Sequence, residues 1–375
     1  MPLLDCWFKR KLMDFVITHK KRLLRKYGKK GTFHIIEAVK KLVRVKSGRL
    51  FLIDELNGVL NGFDFKKRVE PKRFKKFLDV LDKDSKKENT FLIIGGNSII
   101  PFYKVENPTD DEDKVILTDA PYASRDDDFL IPQRAFGRIP DSHEKAEDFL
   151  LSIIEQTIEY YKVHEGYKGS FGYSASIWKE ASKAVFRVIG DVKKLKVSPP
   201  LNAENIKKTW LKRQFLYFNL HGTKETPNWY GQKALGDAPN FPMYPVAITP
   251  EAVPALKRSC VFTEACYGAW IFKKRIEESM ALKFLSQGSI GFVGSTAIAY
   301  GPPTPPSMEA DLLCKYFFQY VESGVPFGDA LRNAKIDFAK KMVRTQGFLD
   351  DDDKKTLLEF QLYGDPSLGF TKKGI

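Results

Sequence analysis

Residues 259–268 read Ser-Cys-Val-Phe-Thr-Glu-Ala-Cys-Tyr-Gly, and this stretch decides how the chain folds. Its first five residues are of the types that form buried strands. The strand is followed by Cys266 and by a turn through Gly268. In an open α/β sheet the ligand crevice lies at the carboxyl edge of the strands. The sequence therefore predicts a thiol at the edge of a sheet.

A second strand of the same kind, residues 215–220, runs into His221 and Gly222. A thiol and an imidazole at one sheet edge are the components of a nucleophile and its general base. Gly222 has no Cβ, so its N–H is free to face a developing oxyanion. We predict that Cys266 and His221 form a catalytic dyad. The alternative is a structural thiol and a hydrogen-bonded core histidine.

The composition is typical of a globular protein from a reducing compartment. Of the 375 residues, 43% are hydrophobic, which is enough to bury a large core. The cysteines are not spaced as a disulfide framework or a zinc site; they are Cys6, Cys260, Cys266 and Cys314. No run reaches the ~18 apolar residues of a membrane helix, and the first ten residues do not form a signal peptide. We expect a cytoplasmic protein with no membrane association.

The net charge of +14 comes from the first 90 residues, which hold 25 Lys and Arg against 11 Asp and Glu. Such a surface can bind nucleic acid or another polyanion. It is equally what a lysine-rich solvated surface looks like, and no aromatic–glycine motif or zinc spacing accompanies it. We favour the solvated surface, so nucleic acid is not an expected partner.

The order of strands and helices predicts an α/β fold with a mostly parallel sheet. Expected strands lie over residues 14–18, 50–53, 91–94, 184–189, 215–220, 259–263 and 289–294. Expected helices lie over residues 20–27, 74–81, 149–161, 202–211, 248–256, 279–287, 308–323 and 326–343. The helix over 149–161 marks the boundary between two parts, residues 1–165 and residues 166–375.

Two acidic stretches interrupt this pattern. Residues 104–133 are predicted to form one long loop, and long loops in compact domains are usually functional. Within it, Asp119 either lines a pocket for a basic side chain or caps its own turn. Asp126, Asp127 and Asp128 could bind Ca²⁺, although solvated turn carboxylates are the favoured interpretation, and we expect no cofactor. The second stretch, residues 350–353, is predicted to be an exposed loop.

Several motifs occur in an order that resembles the gingipain-type cysteine peptidases of the caspase-like clan. In the first half these motifs are Phe91–Phe102, Thr118–Tyr122 and Phe136–Pro140. In the second half they are His221-Gly222, Glu264–Gly268, Gly291–Ser295 and Tyr363–Leu368. Together they span roughly residues 14–370.

The resemblance implies a caspase-like three-layer α/β/α sandwich with two side-by-side subdomains, the second of which holds the dyad. It also implies that Cys266 is the nucleophile and that His221 is the general acid/base. The backbone N–H groups of Gly222 and Cys266 would form the oxyanion hole. A third catalytic residue has no clear match, and Glu106 and Asp110 both remain candidates.

The same resemblance implies which residues bind the substrate. Asp119 matches the position that binds a basic P1 side chain in arginine-specific members, and we assign Tyr300 to substrate binding as well. We therefore expect a cytoplasmic cysteine endopeptidase that cleaves protein substrates after Arg or Lys. The alternative is an inactive caspase-like scaffold whose basic first quarter binds a polyanion. The sequence does not determine the oligomeric state.

Overall fold

The computed structural model describes residues 14–56, 62–83, 89–163 and 166–370, and these contain fourteen strands and nine α-helices. The strands are β1 (Asp14–Thr18), β2 (Arg49–Leu52), β3 (Thr90–Ile94), β4 (Tyr103–Glu106), β5 (Val115–Thr118), β6 (Ala135–Ile139), β7 (Ser170–Ala175), β8 (Lys196–Ser198), β9 (Phe215–Asn219), β10 (Trp229–Tyr230), β11 (Val246–Ile248), β12 (Ser259–Thr263), β13 (Ser289–Ser295) and β14 (Phe360–Gly364). The helices are α1 (Lys20–Lys46), α2 (Pro71–Asp82), α3 (Ala120–Ala123), α4 (Asp148–Lys162), α5 (Lys179–Phe186), α6 (Met280–Ser286), α7 (Glu309–Glu322), α8 (Phe327–Gln346) and α9 (Asp351–Glu359).

Ten strands form one central sheet in the order β2-β1-β3-β6-β14-β13-β12-β9-β7-β8. The four sheet strands before residue 165 are parallel to one another, as are the five from β7 to β13. Between these two sets lies β14, which is antiparallel to β13. The sequence prediction did not include this strand. The proposed division at residue 165 follows the boundary between the two sets of strands, and it stays a prediction.

The sheet is covered by helices on both faces, because its strands carry apolar side chains on both faces. Along β12, Val261 belongs to the apolar cluster that includes residues of α1, α4 and α6, whereas Cys260 and Phe262 belong to the cluster that includes residues of α5, α7 and α8. Along β9, Leu216 and Tyr217 alternate in the same way. This is the predicted three-layer α/β/α sandwich, with a mostly parallel sheet and the caspase-like fold.

Two predictions for the first half differ from the structure. The helix that begins at Lys20 leaves helical geometry at Gly28 (φ 68°), as predicted, but it resumes and continues to Lys46. The supposed long loop over residues 104–133 contains the antiparallel hairpin β4–β5 and the short helix α3. The hairpin places the acidic residues 107–113 in its turn, from which they reach the second half of the chain.

Four predictions for the second half were wrong. The predicted strand over residues 184–189 overlaps helix α5, whose buried Ala181 and Val185 follow helical spacing. The predicted helix over 248–256 is a single 3₁₀ turn, since Pro254 disfavours helical geometry in the residue before it. The predicted helix over 202–211 is reduced to a 3₁₀ turn at 208–211. Residues 350–353 begin α9, where Asp350 and Asp353 form a reciprocal cap and Asp353 is buried.

One of the four cysteines, Cys6, lies outside the residues that the structure describes. The other three cysteines are free thiols. None of the described helices is both long and apolar enough to cross a lipid bilayer.

Candidate active site

The site is built on the pairing of β9 with β12, which are adjacent and parallel. Thr263 pairs with Phe218, and the next N–H, that of Glu264, donates to the carbonyl oxygen of Phe218 at 2.8 Å. Cys266 follows Thr263 by three residues, and His221 follows Phe218 by three residues. Trp178, which directly precedes α5, contacts the His221 ring and lines a slot with Cys266 and with Ala310 of α7.

Cys266 borders a narrow slot at the carboxyl edge of β12. Its thiol donates a hydrogen bond to the carbonyl oxygen of Ala299 at 3.5 Å. Burial raises the pKa of the Cys266 thiol to about 11, so the thiol is protonated at neutral pH. The slot has a free volume of about 20 Å³ and is lined by Trp178, Asn219, Leu220, Glu264, Cys266, Ala299, Tyr300, Gly301 and Ala310.

His221 is held in place by its backbone and by its ring. Its N–H and C=O both bond to Tyr230 at 2.9 Å, and its Nε2 lies 2.7 Å from Oε1 of Gln232. With the proton on Nε2 donated to Gln232, Nδ1 is the nitrogen that carries a lone pair. Burial lowers the pKa of His221, against the opposing effect of the Gln232 hydrogen bond. The imidazole is therefore neutral at pH 7.

Trp178 lies next to both His221 and Cys266. Its ring centroid lies 4.4 Å from that of His221, and the same side chain lines the slot beside Cys266. Within the described part of the chain, no hydrogen bond joins Cys266 to His221. The resting pair is thus a neutral thiol and a neutral imidazole held near each other without a direct bond.

Gly222 lies where no other residue would fit. A Cβ at this position would be 2.2 Å from the carbonyl oxygen of Cys266, which is a backbone atom. Across the described ranges, the N–H groups of Gly222 and Cys266 donate to no other residue. Both donors are therefore available beside the thiol.

Asp119 does not offer the open carboxylate that the sequence analysis expected. It is 4% exposed, and it accepts two hydrogen bonds from Arg138, at 2.7 Å from Nε and at 2.6 Å from Nη2. Arg138 is itself fully buried, with its guanidinium 4.3 Å from the ring centroid of Phe102. Asp119 is thus the counterion of a buried cation and is not available to a substrate.

Asp113, which the sequence analysis did not single out, ties the hairpin of the first half to the site. Its carboxylate accepts hydrogen bonds from Lys224 at 2.7 Å, from the hydroxyl of Tyr267 at 2.9 Å and from the N–H of Ile298 at 2.8 Å. These three residues belong to the loops that follow β9, β12 and β13. One buried carboxylate therefore fixes the three loops relative to each other.

Tyr300 lies in the slot with Cys266, and its hydroxyl donates to Asp111.

The candidates for a third catalytic residue, Glu106 and Asp110, are exposed. The side chain that bonds the ring of His221 is that of Gln232. Gln232 lies in a loop rich in Pro, Gly and aromatic residues, and nothing in its local sequence indicated this role.

The acidic run at residues 126–128 is exposed, and its carboxylates bond within their own loop. Asp128 accepts from the N–H of Leu130, and Asp126 accepts from Gln133. Among the residues that the structure describes, no group of three or more His, Cys, Asp or Glu side chains is arranged to hold a metal ion. Solvated carboxylates stay the favoured prediction for this run, with Ca²⁺ binding as the alternative.

Comparison with known proteins agrees with this geometry. The model of peptidase family C25 matches residues 247–371, a third of the chain. A solved structure described as "Structure of Protease" matches with a TM-score of 0.62 and 13% identity, over 96% of this chain and 78% of its own. The complex of Porphyromonas gingivalis RgpB pro- and mature domains matches with a TM-score of 0.62 and 12% identity, over 96% and 79%. No curated protein sequence matches significantly.

The fold and the matched family define the class of this protein as a cysteine-type peptidase, a hydrolase. More particularly, its last third resembles peptidase family C25, which confirms the gingipain-type resemblance. The matched residues include Cys266 but not His221.

We predict that Asp119→Asn destabilises the fold by about 3–5 kcal/mol, because it leaves the buried guanidinium of Arg138 without its counterion. Urea unfolding measures the change in the free energy of unfolding. Asp126→Asn, in the exposed loop nearby, serves as the control and should change it by about 0.5 kcal/mol or less. Equal, small effects for the two variants would contradict the assignment of Asp119 to a structural ion pair.

We predict that alkylation of Cys266 by iodoacetamide in the native protein accelerates with pH through pH 9. Only the thiolate reacts, and the pKa of the buried thiol is raised to about 11. Mass spectrometry of the Cys266 peptide measures the rate. The denatured chain is the control, in which the rate should level off near the ordinary value of about 8.5. A native profile that levels off below that value would show that the thiol is not desolvated.

Proposed function

We propose that this protein is a cysteine endopeptidase in which Cys266 is the nucleophile and His221 is the general acid/base. The observation that supports this most is the parallel pairing of β9 with β12, since His221 and Cys266 each follow the paired residues Phe218 and Thr263 by three positions. The family match supports a peptidase, and the dyad specifies how the reaction proceeds. We also propose that it acts inside the cell, which the absence of a disulfide-type cysteine spacing favours.

The reaction starts from the neutral pair. Nδ1 of His221 takes the proton of the Cys266 thiol as Sγ attacks the carbonyl carbon of the substrate. The N–H groups of Gly222 and Cys266 stabilise the resulting oxyanion. The imidazolium, stabilised by the ring of Trp178, then gives its proton to the leaving amine, and a thioester remains on Cys266. Water hydrolyses the thioester with His221 as the base, and the free thiol is restored.

We propose that cleavage follows Arg or Lys. Asp119 is unavailable, but the slot beside the thiol has another acid, Glu264, in its wall and no Lys, Arg or His. A carboxyl group next to the nucleophile favours a substrate whose side chain is cationic. Tyr300, in the same wall, would contact that side chain.

We predict that Cys266→Ala abolishes cleavage of a fluorogenic peptide with Arg or Lys at P1, and that His221→Ala lowers kcat by ~10³-fold or more. The matched control is Cys260→Ala, which removes a fully buried thiol of β12, the strand that precedes Cys266. This control should retain activity at temperatures where it is folded. Undiminished turnover by the Cys266 variant would remove the assignment of the nucleophile.

A second candidate function, anion binding, is favoured by one specific observation. A crevice of about 640 Å³ lies at the carboxyl edge of β3 and β6, where Asp141 is the only acid among the residues that line it. It carries five Lys and Arg side chains: Arg22, Arg25, Lys26, Lys145 and Lys273. Of these, Lys26 is paired with Asp141. We propose that a small polyphosphate anion binds here, in addition to the peptidase function.

We predict that tripolyphosphate binds to the native protein with an affinity that falls as salt is raised. The double variant Arg25→Gln, Lys145→Gln should weaken this binding by roughly tenfold or more. The control is Lys29→Gln, Lys30→Gln, which removes the same charge from the exposed surface of α1 outside the crevice. Isothermal titration calorimetry measures the affinities. Equal weakening by both double variants would show that binding depends on net charge alone and not on the crevice.

A further inference from the structure

We propose that the carboxyl groups of Glu264 and Asp311 together bind the basic P1 side chain of the substrate. The inference rests on the proposed peptidase function and names the residues that give the site its preference. Glu264 is the first residue of the motif Glu264–Gly268, two positions before Cys266, and the local sequence assigns a binding role to neither acid.

Glu264 lines the slot that contains the nucleophile, and Asp311 lies directly behind its wall. Glu264 precedes Cys266 by two residues, and the side chains of both line the slot. Asp311 is in the first turn of α7. A Cβ placed on Gly301, which forms part of the slot wall, would be 3.3 Å from Oδ2 of Asp311. The two carboxyl groups therefore meet at one wall of the slot.

The two acids are buried without a cation. Glu264 is 7% exposed and Asp311 is fully buried. Within the described ranges, Oε1 of Glu264 and both carboxylate oxygens of Asp311 receive no hydrogen bond from a neutral or cationic donor, and neither residue has an ion pair. Buried carboxylates are normally paired. A site with two of them beside a nucleophile lacks the partner that a basic side chain would supply.

The pair shares a proton when no ligand is bound. Burial raises the pKa of both carboxyl groups, and the charge of Asp311 raises the pKa of Glu264 further. Two such groups in contact cannot both ionise at low cost. An ammonium or guanidinium group that enters the slot stabilises the fully ionised pair, so the shared proton leaves to solvent as the side chain binds.

No other charge facing the pair supplies a counterion. The remaining titratable groups around it are Tyr217 on β9, Cys314 and Glu309 on α7, and the nucleophile Cys266. None of these groups is a cation at neutral pH. Among the residues that the structure describes, the pair therefore has no cationic partner of its own, and only a proton or a ligand can neutralise it.

Entry of a long side chain requires the slot to widen. Its free volume of about 20 Å³ is less than a lysine or arginine side chain occupies. One wall is formed by Tyr300 and Gly301, and residues 303–306, which follow, are exposed. We infer that this wall moves outward on binding, because β9 and β12 on the other side are fixed in the sheet.

The test uses Glu264→Gln and Asp311→Asn with matched peptides. Lysine is compared with norleucine at P1, and arginine with citrulline, because each pair differs mainly in charge. The wild type should prefer the basic member. Each variant should lower kcat/KM for the basic peptides by ~10- to 100-fold and leave the neutral peptides within about threefold. The matched control, Glu359→Gln, removes a buried carboxyl group outside the slot and should leave the preference unchanged.

The pH dependence provides a readout that a structural role would not give. The ratio of kcat/KM for the lysine peptide to that for the norleucine peptide cancels the ionisations of the dyad. In the wild type this ratio should rise with pH. Without a bound cation, the pair is fully ionised only at a pH above its raised pKa values. In Glu264→Gln this rise should largely disappear.

Binding without turnover separates this inference from the proposed function. In a Cys266→Ala background, calorimetry should show tighter binding of the lysine peptide than of the norleucine peptide, and adding Glu264→Gln should remove the difference. That result supports the pair even if the wild type cleaves neither peptide. If the wild type cleaves peptides but folded Glu264→Gln and Asp311→Asn keep the full basic preference, the pair is not the P1 site. Thermal unfolding verifies that the variants are folded.

Discussion

The parallel pairing of β9 with β12 is the interaction on which the rest of the site depends. Its register pairs Phe218 with Thr263, and His221 and Cys266, which are 45 positions apart, each follow these residues by three positions. A shift of one residue would send one of them to the opposite layer. The imidazole, the thiol, the glycine between them and the acid in the slot wall all take their positions from this register.

Burial determines the electrostatics of the same region. It raises the pKa of Cys266 and lowers that of His221, so the resting dyad carries no charge. It also raises the pKa values of Glu264 and Asp311. Such an arrangement costs folding stability, as functional sites commonly do. A neutral resting thiol also reacts slowly with small electrophiles, because the thiolate is the reactive form.

Two buried ion contacts hold the halves of the chain around this region. Asp113, from the hairpin of the first half, fixes the loops after β9, β12 and β13. Arg138 and Asp119 neutralise each other beside β14, where the two sets of parallel strands meet. The same acid that a family pattern assigns to substrate binding thus has a structural partner here. The role of Asp119 depends on its ion-pair partner, Arg138.

The sequence by itself determined the strands that end at His221 and Cys266, the α/β class and the resemblance to the gingipain-type peptidases. These features follow from local patterns, because strand formers, a terminal glycine and a motif are read within a few residues. Contacts between distant segments pair Asp119 with Arg138, bond Gln232 to His221, and bring Asp311 behind the slot wall that also contains Glu264. Each of these depends on a partner from a distant part of the chain, and a carboxylate with a counterion has the same local sequence as one without.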